Sequence, residues 1–145
     1  MAKTTHPKEI VLVDDELHNV LWIADYFEAK GLIVHTAGNV NDALKVIEGK
    51  IFRALIVDLN IPVLDPLEEL VAKEGIEYKT FPGLYFAERA RNLGYRGRQV
   101  LLYSVHRDPC VSAIAARLGV TYIMKGRPHE VKDELQSVLS FDPTA

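Results

Sequence analysis

Two short apolar runs, each emptying into carboxylates, constrain this chain more than any other feature. Ala54-Leu55-Ile56-Val57 leads into Asp58-Leu59-Asn60-Ile61-Pro62, and Ile10-Val11-Leu12-Val13 leads into Asp14-Asp15-Glu16. Such runs are too short for buried helices and read as strands covered on both faces, as in a parallel sheet. Asp14, Asp15 and Asp58 then fall where two strands emerge. In open parallel α/β sheets ligands collect beyond the carboxyl ends of the strands, where the winding reverses. Convergent aspartates there point to a site for a hard cation and a phosphate.

The rest of the chain supplies that sheet. Leu17, Val20, Leu21, Ala24 and Phe27 recur at helical spacing before Gly31, which predicts a helix over about 17–30. A short strand is expected over 32–36. A helix follows with Asn39 or Asn41 as cap, Val40, Ala43, Leu44 and Ile47 turned inward, and Gly49 as its stop. After the Asp58 strand, 99–104 reads as a fourth strand ending in Ser104. Asp108-Pro109 offers an N-cap and a first-turn proline to a helix carrying Val111, Ile114, Ala115 and Leu118, stopped by Gly119. A fifth strand over 120–124 ends at Lys125, and a last helix over 128–140 turns Val131, Leu135, Val138 and Leu139 inward. Alternating strands and helices call for a parallel sheet with helices on both faces. The common order for five strands, 2-1-3-4-5, makes strands one and three neighbours and brings the aspartates together.

One stretch breaks the rhythm. Residues 63–82 intervene before Leu84, Ala87, Ala90 and Leu93 resume the helix that should follow strand three. Asp65 as N-cap, Pro66 as the first helical residue and Glu68 three positions after Asp65 form a capping-box pattern, predicting an extra helix over about 66–73. Ile76, Tyr78, Phe81, Tyr85 and Phe86 are expected to pack this insertion rather than to dock a partner.

Composition narrows the classes. The 145 residues suit one domain, 1–145, with short tails at 1–8 and 141–145 and a polar lead-in before the first strand. No apolar run approaches the roughly 20 residues that cross a bilayer, and the opening residues lack the apolar core of a secretory signal. Cys110 is the only cysteine, which excludes an internal disulfide framework and fits a reducing cytoplasm. With no paired base in view it reads as a small helix residue. A net charge of −3 without a Lys/Arg cluster argues against direct nucleic-acid binding.

Asp14, Asp15, Asp58, Ser104 and Lys125 each follow an apolar run. Taken singly, each has an ordinary explanation as a turn residue or strand end. Together they divide the labour of phosphoryl transfer. Two or three carboxylates hold Mg²⁺, which keeps waters and phosphate oxygens among its ligands. One carboxylate attacks phosphorus, and a lysine and a hydroxyl accept the phosphoryl oxygens.

Val13-Asp14-Asp15-Glu16, Val57-Asp58 with Pro62 four residues on, Tyr103-Ser104 and Tyr122-Ile123-Met124-Lys125 resemble, in that order, the receiver domain of two-component response regulators. The resemblance covers nearly the whole chain apart from the insertion and implies a doubly wound, flavodoxin-like α/β fold. It implies that Asp58 is the phosphoacceptor, taking a phosphoryl group from a histidine kinase, a phosphotransfer protein or a small phosphodonor. It also implies that Asp15 ligates Mg²⁺ directly and Asp14 through water, with the Asp58 carboxylate and the Asn60 backbone carbonyl completing the set. Lys125 would pair with the acylphosphate, Ser104 would be the switch hydroxyl and Tyr122 the coupled aromatic. The last two helices and the strand between them would face a downstream protein or output domain. Asn60 and His106 occupy positions that resemble the family's tuners of phosphate lifetime. The sequence departs from the family in two places: Gly126 follows Lys125 where proline is common, and Val105 follows the switch hydroxyl where a smaller residue is usual.

Two other functions are compatible with such a fold. A phosphorylation-independent interaction module with the same fold has no need of all five residues, and an Mg²⁺-dependent phosphatase using Asp58 would lack a cap domain. Lys and Arg on the last two helices are compatible with a homodimer, although such charges are usually a solvated face.

Overall fold

The computed structural model describes residues 3–105, 107–125 and 128–140. Five strands form one parallel sheet: β1 (His6–Val13), β2 (Ile33–Ala37), β3 (Phe52–Asp58), β4 (Val100–Ser104) and β5 (Thr121–Met124), in the order β2-β1-β3-β4-β5. This is the 2-1-3-4-5 order that the sequence predicts. Successive strand residues face opposite sides, and both sides are covered. Ile10, Leu12, Ile56, Leu101 and Ile123 pack under α1 (Leu21–Ala29) and α7 (Pro128–Ser140), with Phe27 and Leu135 fully buried among them. Val11, Val13, Leu55, Val57 and Leu102 pack on the other side under α2 (Val40–Ile47), α5 (Pro82–Asn92) and α6 (Pro109–Leu118).

The helix signals operate as their chemistry dictates, with some displacements. Asn39 caps α2 by accepting the Asp42 N–H at 2.8 Å. Asp108 caps α6 by accepting from the N–H groups of Cys110 and Val111, at 2.8 and 3.2 Å. The helix expected over 17–30 is instead a 3-10 turn, Leu17–Asn19, followed by α1. The break has a local cause: Asp14 Oδ1 accepts the Glu16 N–H at 2.8 Å and Glu16 Oε2 accepts from the Asn19 side chain at 2.7 Å, so the segment leaving β1 is tied to the acidic turn. The lead-in also differs, because β1 starts at His6 rather than Ile10. Thr5 and His6 donate their N–H groups to the Ile51 carbonyl and draw the polar segment, including part of the expected 1–8 tail, along β3.

The insertion holds two helices, not one: α3 (Leu67–Glu74) and α4 (Ile76–Thr80), separated at Gly75 where φ is +140°. The expected capping box does not form. Pro66 rather than Asp65 holds the N-cap position and no side chain caps α3. The loop before it is secured from across the chain. The Asn41 side chain accepts the Leu64 N–H at 2.8 Å and donates to the carbonyls of Leu64 and Asp65, at 3.0 and 3.4 Å. Tyr78, Tyr85 and Phe86 are buried and Phe81 packs against the same core, as expected of packing residues, but Ile76 is 68% exposed.

The chain returns from the insertion against the strand it left. The Gly83 N–H donates to the Leu59 carbonyl at 3.0 Å. A Cβ at Gly83 would lie 2.6 Å from the Asp58 carbonyl oxygen and 2.8 Å from the Leu59 Cα, so only glycine permits this approach.

Candidate functional site

Sheet register assembles the site. Val13 pairs with Val57, so the next residues of each strand, Asp14 and Asp58, emerge side by side; Asp58 in turn pairs with Tyr103, and Ser104 with Met124. One carboxylate oxygen from each of Asp14, Asp15 and Asp58 lies within 4.8 Å of the others. Asp14 is fully buried, Asp58 nearly so, and Asp15 is exposed. Lys125 closes the group, its Nζ 3.4 Å from Asp14 Oδ2 and 3.4 Å from Asp58 Oδ2. Its backbone is held by β4, because the Lys125 N–H donates to the Ser104 carbonyl at 2.7 Å.

The remaining expected residues are distributed around this group. Asn60 donates its N–H to Asp58 Oδ1 at 3.2 Å. Ser104 is buried between Tyr103 and Val105, both of which line the cavity beside the aspartates. Tyr122 belongs to the start of α6 rather than to the acidic group: its hydroxyl accepts the Asp108 N–H at 3.2 Å, and the Arg107 guanidinium lies 5.2 Å from its ring centre. His106 and Gly126 lie outside the described residues.

One participant had no assigned role in the sequence. Tyr103 reaches across the sheet edge and its hydroxyl donates to Asp14 Oδ2 at 2.7 Å, while Lys125 Nζ lies 4.7 Å from the centre of its ring. The signal for it was register, since any residue paired with Asp58 stands at the site. The aspartates line a cavity of about 470 Å³ together with the apolar side chains of Ile23, Ile56, Leu101, Ile123 and Leu135.

Burial pushes the Asp58 carboxyl above its ordinary value. The Asn60 N–H and the Lys125 ammonium oppose the rise, and the Asp14 charge adds to it. Burial also drives the Tyr103 phenol far above the ordinary range, reinforced by its bond to Asp14, so the hydroxyl remains a donor at neutral pH. A buried pair of carboxylates with a single adjacent ammonium stays short of positive charge. Oxygen donors from three carboxylates fit a hard divalent cation, and the exposed Asp15 gives such an ion access to solvent ligands.

The sequence matches no protein-family model and no curated protein. The fold does match: it is the receiver fold of response regulators. Among solved structures, a receiver domain from Methanospirillum hungatei shares 20% identity over 91% of this chain and 96% of its own, with a TM-score of 0.65. A Burkholderia pseudomallei response regulator, determined with a phosphorylated aspartic acid, a calcium ion and citrate, shares 20% identity over 90% of this chain and 67% of its own, with a TM-score of 0.66. The BeF3-activated N-terminal receiver domain of Klebsiella pneumoniae RstA shares 19% identity over 92% and 99%, also at 0.66.

Proposed function

We propose that this chain is a phosphorylation-operated signalling switch in which Asp58 accepts a phosphoryl group. The observation that carries the reading is the convergence of Asp14, Asp15 and Asp58 within 4.8 Å, with Lys125 equidistant from Asp14 and Asp58. An Asp58 carboxylate oxygen forms a bond to the phosphorus of a phosphohistidine on a histidine kinase or phosphotransfer protein. The P–N bond breaks, and the histidine nitrogen leaves with its electron pair and takes up a proton. Lys125 balances the charge gathered on the phosphoryl oxygens. Asp15, Asp14, Asp58 and the Asn60 backbone carbonyl are the residues that would hold Mg²⁺. When bound, that ion neutralises phosphoryl charge and orients the group for attack. The phosphorylated aspartate and calcium ion of the Burkholderia neighbour and the BeF3-activated state of the Klebsiella one support the reading by likeness of fold.

Ser104 and Tyr122 carry the response outward. Ser104 lies at the end of β4 and Tyr122 is bonded to the N-terminus of α6, so a shift of the Ser104 segment toward a phosphorylated Asp58 alters the support of α6. The α6, β5 and α7 face would then present two states to a downstream protein or output domain. His106 and Asn60 are proposed to tune how long the phosphoryl group persists. The setting proposed with this role is cytoplasmic; among the described residues, no helix is long and apolar enough to cross a membrane.

Incubation with Mg²⁺ and acetyl phosphate, followed by intact mass, tests the reading. A labile adduct of one phosphoryl group, absent in Asp58→Asn, is expected. Trp22 lines the cavity and should report the reaction by fluorescence. No adduct would favour a docking module that keeps the fold, and multiple turnover of exogenous phosphoesters would favour a phosphatase.

A further inference from the structure

Three of the four lone-pair directions of the Asp14 carboxylate are already engaged. Its Oδ1 accepts the Glu16 N–H at 2.8 Å. Its Oδ2 accepts the Tyr103 hydroxyl at 2.7 Å and lies 3.4 Å from Lys125 Nζ, so both lone-pair directions of that oxygen are engaged. The carboxylate is fully buried and Tyr103 nearly so, which keeps both from exchanging partners freely with bulk water. An ion that draws on Oδ2 must displace a donor, and a buried hydroxyl that loses its charged acceptor is costly.

We propose that the Tyr103 hydroxyl is a positioning group that competes with the divalent cation for Asp14 and so sets the affinity of the ion site. The inference rests on the phosphoacceptor reading and adds a residue to it. The hydroxyl holds Asp14 in one orientation and satisfies part of its charge, which keeps the empty site stable and its demand for a cation low. The ring has a separate role as a face beneath the Lys125 ammonium, at 4.7 Å. Tyr103→Phe keeps that ring and removes only the competing O–H.

The test is Mn²⁺ affinity, measured from the electron paramagnetic resonance signal of free ion at fixed pH and salt. Parent protein is compared with Tyr103→Phe and with Asp15→Asn in both backgrounds. Tyr103→Phe is expected to bind Mn²⁺ about tenfold more tightly, the size expected for releasing one hydrogen bond to a charged group. Asp15→Asn should weaken binding in both. Loosened packing would weaken the site, so tightening separates competition from a structural role. Equal or weaker binding by Tyr103→Phe, with the parent binding normally, overturns this inference and leaves the phosphoacceptor reading standing. Absence of binding by the parent, or binding indifferent to Asp15→Asn, overturns the ion site itself and the inference with it. If Tyr103→Phe folds less well, its urea midpoint should rise more with added Mn²⁺ than the parent's does; a smaller or equal rise counts against the proposal.

Discussion

Asp58 is both the proposed reactive group and a source of instability. Burial raises its pKa, so the folded chain holds a proton at pH values where the unfolded chain has released it. A stabilising contribution is therefore present at low pH and lost as pH rises through the folded value. At neutral pH the ionised Asp58 works against folding. Asp58→Asn, which keeps the shape and removes the charge, should raise the urea midpoint at pH 7 in chelator; a midpoint equal to or below that of the parent would contradict this. The same shift bears on reactivity, because only the carboxylate attacks phosphorus. With chelator present, the Asp58 carboxyl followed by NMR should therefore titrate above the ordinary aspartate value of 3.8. Titration at that ordinary value would contradict the effect of burial.

Gly83 and Asn41 show how neighbouring elements hold the reactive strand end. Gly83→Ala places a methyl group 2.6 Å from the Asp58 carbonyl, forcing either the start of α5 or the β3 exit to move. The expected cost is about 1–3 kcal/mol of stability, with slower phosphorylation because Asp58 shifts; denaturant unfolding and labelling kinetics check the two parts. Asn41→Ala removes the bonds that fasten the loop at Leu64 and Asp65. It should cost about 1 kcal/mol and increase hydrogen exchange in α3 while leaving β3 protected. Beyond that loop, Tyr78 ties the insertion to the body of the fold, donating to Glu88 of α5 and accepting from Arg117 of α6 at 2.8 Å. These links escape sequence reading. Asn41 was equally good as a helix cap, and Asp65, Pro66 and Glu68 formed a plausible capping pattern that tertiary bonds to the preceding loop overrode. Gly75 divided the insertion into two helices, a break that no apolar spacing announced.

The architecture as a whole was far more legible than these details. Strands buried on both faces read as continuous apolar runs, and a parallel sheet of such strands has few ways to close. The order that brings Asp14 beside Asp58 is the common one for a doubly wound sheet of five alternating strands. Lys125 was legible for the same reason, standing at the end of β5, and β4 holds its backbone. Tyr103 was not, because its reach to Asp14 depends on the register of β3 against β4. The claim that the molecule uses this edge to hold a divalent ion and a phosphoryl group on Asp58 is tested most directly by a crystal structure with Mg²⁺ and beryllofluoride. The fluoride adduct should sit on an Asp58 oxygen, within hydrogen-bond reach of Lys125. The ion should lie at roughly 2.0–2.1 Å from oxygens that include an Asp15 carboxylate. An adduct elsewhere, or an ion bound away from Asp14, Asp15 and Asp58, would contradict it.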